Sequence, residues 1–395
     1  MTRLTSLSRL LAFGVFSAAT VVLTGANPAQ TSKDISPAQS ASEREAFFRA
    51  QSSKPGEFRA TWCHSAYGIE GWGWDRTVAV LKTNGFNAII PNLLWAGLAH
   101  YPSKILPVSS KVQEHGDQVA ECLKACRKYG IEIHVWKVNQ NLSTAPKEFR
   151  AKLRAEGRTQ KSKSGEDMDW LCPSHPDNFA LERDSMLEVV RNYDVDGVHF
   201  DYIRYPNSGV CYCAGCQERF EKAAGVKMEK FPEDVITSQQ AGKFNDWRRE
   251  QITRLVRAVS TEARKLKPRI KISAAVFRDW ESCRQSIGQD WKAWVEAGYL
   301  DFVCPMDYDG DNSKFAESVR KQVTWVNHQI PLYPGIGSHK LSGPEQLVRQ
   351  IQLTRELGAD GFVVFNLTEK LATEFLPPLR LRVTSASPKR PAGSQ

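Results

Sequence analysis

The chain has 395 residues, a quarter of them charged, with a formal net charge of +9. That length allows one large α/β barrel with decorations, or two ordinary domains. The positive balance is diffuse and no basic–aromatic run of the kind that binds single strands occurs, which argues against a nucleic-acid partner.

Arg3 and Arg9 precede an apolar run from Leu10 to Leu23, followed by Thr24-Gly25-Ala26. A basic start, a short apolar stretch and small residues describe a secretory signal peptide over 1–26. The run is too short and too interrupted by Gly and Ser for a comfortable membrane span; an uncleaved anchor is the alternative. No Cys precedes Cys63, so a lipid-acylation cysteine is missing. The expectation is an exported protein, periplasmic or secreted, with no membrane span after cleavage. Residues 27–54, rich in Ser, Ala, Gln and charge, are expected to be a flexible linker. Residues 55–383 are expected to fold, and 384–395 to form a disordered tail. Removing the two basic residues of each end segment leaves about +5.

Within 55–383 one unit recurs: an amphipathic helix, a Gly, then an apolar β-rich run. It occurs as Val78–Asn84, Gly85, Phe86–Leu94, and as Val119–Tyr129, Gly130, Ile131–Val138. It returns as Trp291–Ala297, Gly298, Tyr299–Pro305, and as Leu347–Leu357, Gly358, Gly361–Leu367. A Gly after a helix takes the left-handed cap, and a short loop then launches a parallel strand. Eight strands are predicted: Phe58–Ser65, Asn87–Trp95, Glu132–Asn139, Gly197–Tyr205, Lys271–Phe277, Leu300–Tyr308, Leu332–Ser338 and Gly361–Leu367. Helical patterns such as Asn178–Asn192 and Phe244–Leu266 separate them. Alternation of this kind predicts an α/β fold, a (β/α)8 TIM barrel. An open doubly wound sheet is the runner-up, but no Gly-rich dinucleotide loop follows the first strand.

In such a barrel the strand exits make the site. Here they carry Trp62 and His64; Asn92 and Trp95; Trp136 and Asn139; Asp201, Tyr202, Arg204 and Tyr205; Asp279; Asp307 and Tyr308; His339; and Asn366. Trp62, Trp95, Trp136 and Tyr202 suit stacking on sugar rings. His64, Asn92, Asn139 and Arg204 suit hydroxyls, with Tyr205, Asp279, Tyr308 and Asn366 as further contacts. Any single Trp is better explained by core packing; the argument rests on their joint placement. Glycoside cleavage needs two carboxyl groups, and Asp201 with Asp307 is the expected pair, with Asp279, Asp309 and Glu70 as substitutes. An ion pair with Arg204 or Arg278 is the structural alternative for Asp307. Strand alternation puts His199 inward, one layer below Asp201, as a buried hydrogen-bonding residue. No cofactor is required.

Nine Cys is an odd number, so a disulfide framework cannot be complete within one chain. Cys122 and Cys126 sit at core spacing on a helix. Cys211, Cys213 and Cys216 could hold zinc if Cys172, His175 or Cys283 supplied a fourth ligand; a disulfide plus a spare thiol is the other option in an exported protein.

Several segments together resemble the glycoside-hydrolase-like 10 family of exported bacterial (β/α)8-barrel proteins. They are Glu57–Trp62, Leu81–Ala88, Tyr101–Pro107, Gly130–Trp136, Trp170–Pro176 and, most specifically, Tyr193–Asp201, in that order. The resemblance implies a glycosidase acting on a bacterial or environmental polysaccharide, peptidoglycan glycan included. It also implies a nucleophile at Asp201 and a carboxylate acid/base on strand six. The chain departs twice from the family pattern. Tyr202 stands where a second Asp is common, and Pro305-Met306-Asp307-Tyr308 replaces Pro-Gln-aliphatic-Tyr. The expected activity is therefore glycoside hydrolysis. A carbohydrate-binding barrel without catalysis and an envelope scaffold with a metal-binding Cys loop are the rivals.

Overall fold

A computed structural model describes residues 56–380 and 383–384. The expected signal segment, the linker up to its last residue and the tail beyond Thr384 lie outside the described residues. Thr384 itself is buried, and its hydroxyl donates to the carbonyls of Leu379 and Asn84, so the folded unit extends through it.

Eight parallel strands alternate with helices. They are β1 Phe58–Cys63, β2 Ala88–Trp95, β3 Glu132–Val138, β4 Gly197–Asp201, β5 Lys271–Phe277, β6 Phe302–Met306, β7 Gly335–Gly337 and β8 Gly361–Phe365. Each pairs with the next, and β1 pairs with both β2 and β8, which closes the barrel. The main helices are α1 Gly73–Thr83, α2 Gln118–Tyr129, α3 Pro176–Asn192, α4 Gln240–Leu266, α5 Trp291–Glu296, α6 Asn312–Val326, α7 Pro344–Glu356 and α8 Leu376–Arg380. Among the described residues no helix is long and apolar enough to cross a membrane. The (β/α)8 expectation holds.

The glycines of the repeated unit behave as their chemistry requires. Gly130 caps α2 in the left-handed region at φ 62°, and its N–H reaches the Cys126 carbonyl. Gly85, Gly298 and Gly358 also have positive φ. The expected seventh strand, Leu332–Ser338, is cut to three residues. Pro334 offers no N–H to the ladder, and Leu332 keeps a single bridge to Val303.

Parity along the strands splits the core in two. Inward residues fill the barrel, with Phe58, Trp62, Trp136, Phe302 and Val363 in one cluster, while outward residues pack beneath the helices. The interior is tight: a Cβ on Gly335 would lie 2.8 Å from the Trp62 ring, so only Gly admits that indole. Cys122 and Cys126 are buried in the helix layer as expected, Sγ to Sγ 4.0 Å.

On the outer face of β3, fully buried Lys137 lies 3.4 Å from Glu182 of α3 and donates to Ser185 Oγ at 2.7 Å. Glu182 also accepts from Asn139 Nδ2 at 2.6 Å. Removing one partner strands a buried charge. Lys137→Met should therefore cost ~3–5 kcal/mol, read from urea denaturation. Adding Glu182→Gln should recover most of it. Equal losses in the single and double variants would show that packing, not charge, dominates here.

Candidate active site

The strand exits enclose a cavity of about 190 Å³. Trp62, His64, Trp95, Trp136, Asp201, Tyr202 and Tyr308 line it, together with Val138, Ala275, Met306 and Phe365. A larger cleft of about 980 Å³ lies over α1 and α2. Its carboxylates, Glu70, Asp75 and Glu121, are exposed and no barrel strand reaches it. The smaller cavity is the better site because a buried carboxyl and aromatic faces converge there.

Asp201 closes β4 on the inward face and is 5% exposed. Burial raises its pKa from 3.8 to about 6, against the Tyr202 N–H, the Arg204 guanidinium and the Trp136 indole, which favour the anion. The Tyr202 N–H donates to Oδ1 at 2.7 Å. The Trp136 N–H makes no full hydrogen bond of its own. Tyr202 has φ 53°, which turns the chain sharply at the strand end. Its ring then stacks on Trp170 at 5.5 Å. Trp170 belongs to a small hairpin, Thr159–Lys161 with Asp167–Leu171, inserted between β3 and α3. The Arg204 guanidinium lies over the rings of Tyr202, Trp170 and Phe277 at 4.7, 5.4 and 4.8 Å. Across the mouth, Tyr308 stacks on Phe365 at 5.3 Å. His64, exposed at the rim, meets Trp95 and Trp136 edge-on.

One layer deeper, His199 is fully buried, as alternation predicted. Its Nε2 lies 3.0 Å from the Trp62 indole nitrogen and its Nδ1 lies 2.8 Å from Ser273 Oγ. Burial holds it well below the usual histidine range, so it is neutral.

Asp307 is placed differently from the expectation. Met306 and Tyr308 face the cavity, so parity turns Asp307 outward. There it is fully buried and accepts from Gln322 of α6 at 2.7 Å, with its other oxygen unpaired. Burial raises its pKa well above 3.8. Neither expected arginine pairs with it: Arg278 bonds Asp309 at 3.0 Å instead. Among the described residues Asp201 is thus the one carboxyl lining the cavity. Other expected contacts also sit elsewhere. Asn92 bonds backbone carbonyls beside a register shift in β2, and Asn139 serves Glu182. Tyr205 is buried under Arg248, and Asp279 caps the short helix Trp280–Ser286. Asn366 accepts from the His64 backbone N–H at 2.9 Å and stays at the rim. Trp170 was missed because it lies off the barrel strands; the only signal was its place inside the segment that resembled the family.

A model of the Glycosyl hydrolase-like 10 family matches residues 62–350. Glycosyl hydrolase YngK of Bacillus subtilis is 24% identical over 78% of this chain and 68% of its own length. Glycosyl hydrolase DigH of Escherichia coli K12 is 24% identical over 68% of this chain and 65% of its own. The chain thus spans about two thirds of these relatives. Among solved structures, the PgaB (BpsB) glycoside hydrolase domain from Bordetella bronchiseptica superposes with a TM-score of 0.61 at 15% identity, covering 78% of this chain and 94% of its own. The catalytic domain of β-amylase from Paenibacillus polymyxa gives 0.60 at 12%, covering 85% of this chain and all of its own. At such identities the likeness is one of fold.

A carboxyl raised from 3.8 to about 6 makes stability depend on pH with a defined sign. The folded state holds the proton more tightly, so this contribution is fully present below the unfolded pKa and is lost as pH rises through about 6. Asp201→Asn should therefore stabilise the protein by on the order of 3 kcal/mol near pH 7, and by almost nothing at about pH 4. Urea midpoints at the two pH values test this; an equal shift at both would mean the carboxyl is not held protonated by burial.

Proposed function

The chain belongs to the glycosyl hydrolase-like 10 family, and from that membership we propose that it is an exported glycosidase of polysaccharides with Asp201 as its catalytic carboxyl. The observation that carries this is a buried Asp201, its pKa raised by burial to about 6, facing a cavity walled by Trp62, Trp95, Trp136 and Tyr202. Aromatic faces hold sugar rings by stacking, and a carboxylic acid tuned to about 6 can protonate a glycosidic oxygen near neutral pH. The cavity is smaller than the ~300–1,000 Å³ of ordinary ligand pockets, which favours one sugar ring at a time. Export rests on the basic–apolar–small pattern of residues 1–26.

The family resemblance implies that Asp201 is the nucleophile of a pair. With Asp307 turned to α6, the acid role fits better. A lone acid suffices where the substrate brings its own nucleophile, as in substrate-assisted glycosidases that use a 2-acetamido group. Glycan strands of N-acetylated amino sugars, peptidoglycan included, are therefore the favoured substrate class. The lone carboxyl equally favours a second reading, a barrel that binds such glycans without cleaving them.

Reducing-end release from denuded peptidoglycan, and from the same glycan after de-N-acetylation, separates these readings. The glycosidase should cleave only the acetylated form, lose ~10²–10⁴ in kcat/KM on Asp201→Asn, and slow as pH rises above about 6. Cleavage that speeds up through that range would make Asp201 a carboxylate nucleophile. Binding without release by the wild type would establish the binding module.

A further inference from the structure

Four cysteines from two different loops meet beside the candidate site. Cys172 follows the inserted hairpin and precedes α3, while Cys211, Cys213 and Cys216 follow β4. Cys213 is the N-cap of the helix Ala214–Ala224 and Cys216 lies in its first turn. Their four sulfurs all lie within 4.8 Å of one another, and all four residues are buried. Cys172 is 3.4 Å from Cys216 and 3.8 Å from Cys213, sulfur to sulfur. Zinc bound tetrahedrally at Zn–S of about 2.3 Å sets its sulfurs ~3.8 Å apart. The cluster already has that size, and it far exceeds the ~2.05 Å of a disulfide bond.

The other two possible fourth ligands are engaged elsewhere. His175 Nδ1 accepts from the Asp177 N–H at the start of α3, and Cys283 donates to the carbonyls of Trp280 and Gln289. The surroundings suit an anionic centre. Four thiolates around Zn²⁺ carry a net charge of about −2. Arg219 places Nη2 3.8 Å from Cys172 Sγ and donates through Nε to Ser174 Oγ, which lies 3.3 Å from Cys216 Sγ. Arg254 donates to the Pro173 and Ser174 carbonyls, next to Cys172. Such outer contacts orient ligands and offset their charge.

We propose that Cys172, Cys211, Cys213 and Cys216 bind one structural zinc ion that ties the loop after β3 to the loop after β4. All four positions are filled by protein sulfur, so the site is closed to substrate and its role is mechanical. Trp170 stands two residues before Cys172, and its partner Tyr202 opens the loop that carries the other three. The ion holds the two halves of that stacked pair together.

Metal analysis of the purified protein, with thiol counting under denaturing conditions, tests this. One zinc per chain is expected, released by a mercurial titrant. The content should fall at least tenfold in Cys213→Ser and stay at one in Cys122→Ser, whose sulfur lies outside the cluster. Should Cys213→Ser fail to fold, cobalt exchanged into the wild type supplies the second readout, since four thiolates give intense thiolate-to-cobalt and tetrahedral ligand-field bands. Wild-type protein without zinc would overturn the proposal, whether the four thiols are free or joined in disulfides. So would zinc retained in full by Cys213→Ser, or a cobalt spectrum without thiolate bands.

Discussion

The hydrogen-bond chain from Trp62 through His199 to Ser273 is the constraint on which the cavity end of the barrel depends. An indole N–H can only donate, so His199 Nε2 must accept from it. The ring proton then sits on Nδ1, from which it donates to Ser273 Oγ. A charged imidazole would have no acceptor for its second proton, and burial acts in the same direction. The result is a fixed tautomer tying β1, β4 and β5 at one height. Gly335 makes room for the indole, so the layer is specified by size as well as by polarity. Asp201, two residues beyond His199, is thereby set one layer higher, where it lines the cavity.

Two buried aspartates with raised pKa values stand at the ends of β4 and β6, and they differ in one respect. Asp201 has even spacing from inward His199. Asp307 has odd spacing from inward Met306 and Tyr308, so it belongs to the layer beneath α6. The same residue type under the same desolvation yields a cavity group in one case and a helix-facing group in the other. A perturbed carboxyl marks a site only together with the direction it faces.

The eight strands were legible because each lies in a β-rich run launched by a Gly or a turn, although Pro334 shortens the seventh. The left-handed Gly caps gave the register of the α/β repeat. Cavity residues were legible where a strand stays regular to its last residue, as for Trp136 and Asp201. They were lost where it does not. The register shift between Asn92 and Leu94 and the outward parity of Asp307 are set by pairing with neighbours, which a single strand's sequence does not carry. Trp170 and Cys172 sit on an insertion whose position relative to β4 follows from tertiary packing. The three clustered cysteines were visible in the sequence, whereas only the fold singled out Cys172 among three possible partners.

Tyr202 shows what the departure from the family pattern does physically. A second Asp at this position would add a carboxyl beside Asp201, and two like charges in a desolvated cavity would push one pKa still higher. Tyr202 instead places its ring on Trp170, so the position contributes an aromatic wall and removes a negative charge. Arg204 lies over both rings and supplies positive potential without an ion pair to Asp201. The balance leaves a carboxyl tuned by burial more than by charge, which suits proton donation over nucleophilic attack. It also makes the site depend on the Trp170 hairpin, and therefore on whatever holds the loops after β3 and β4 together.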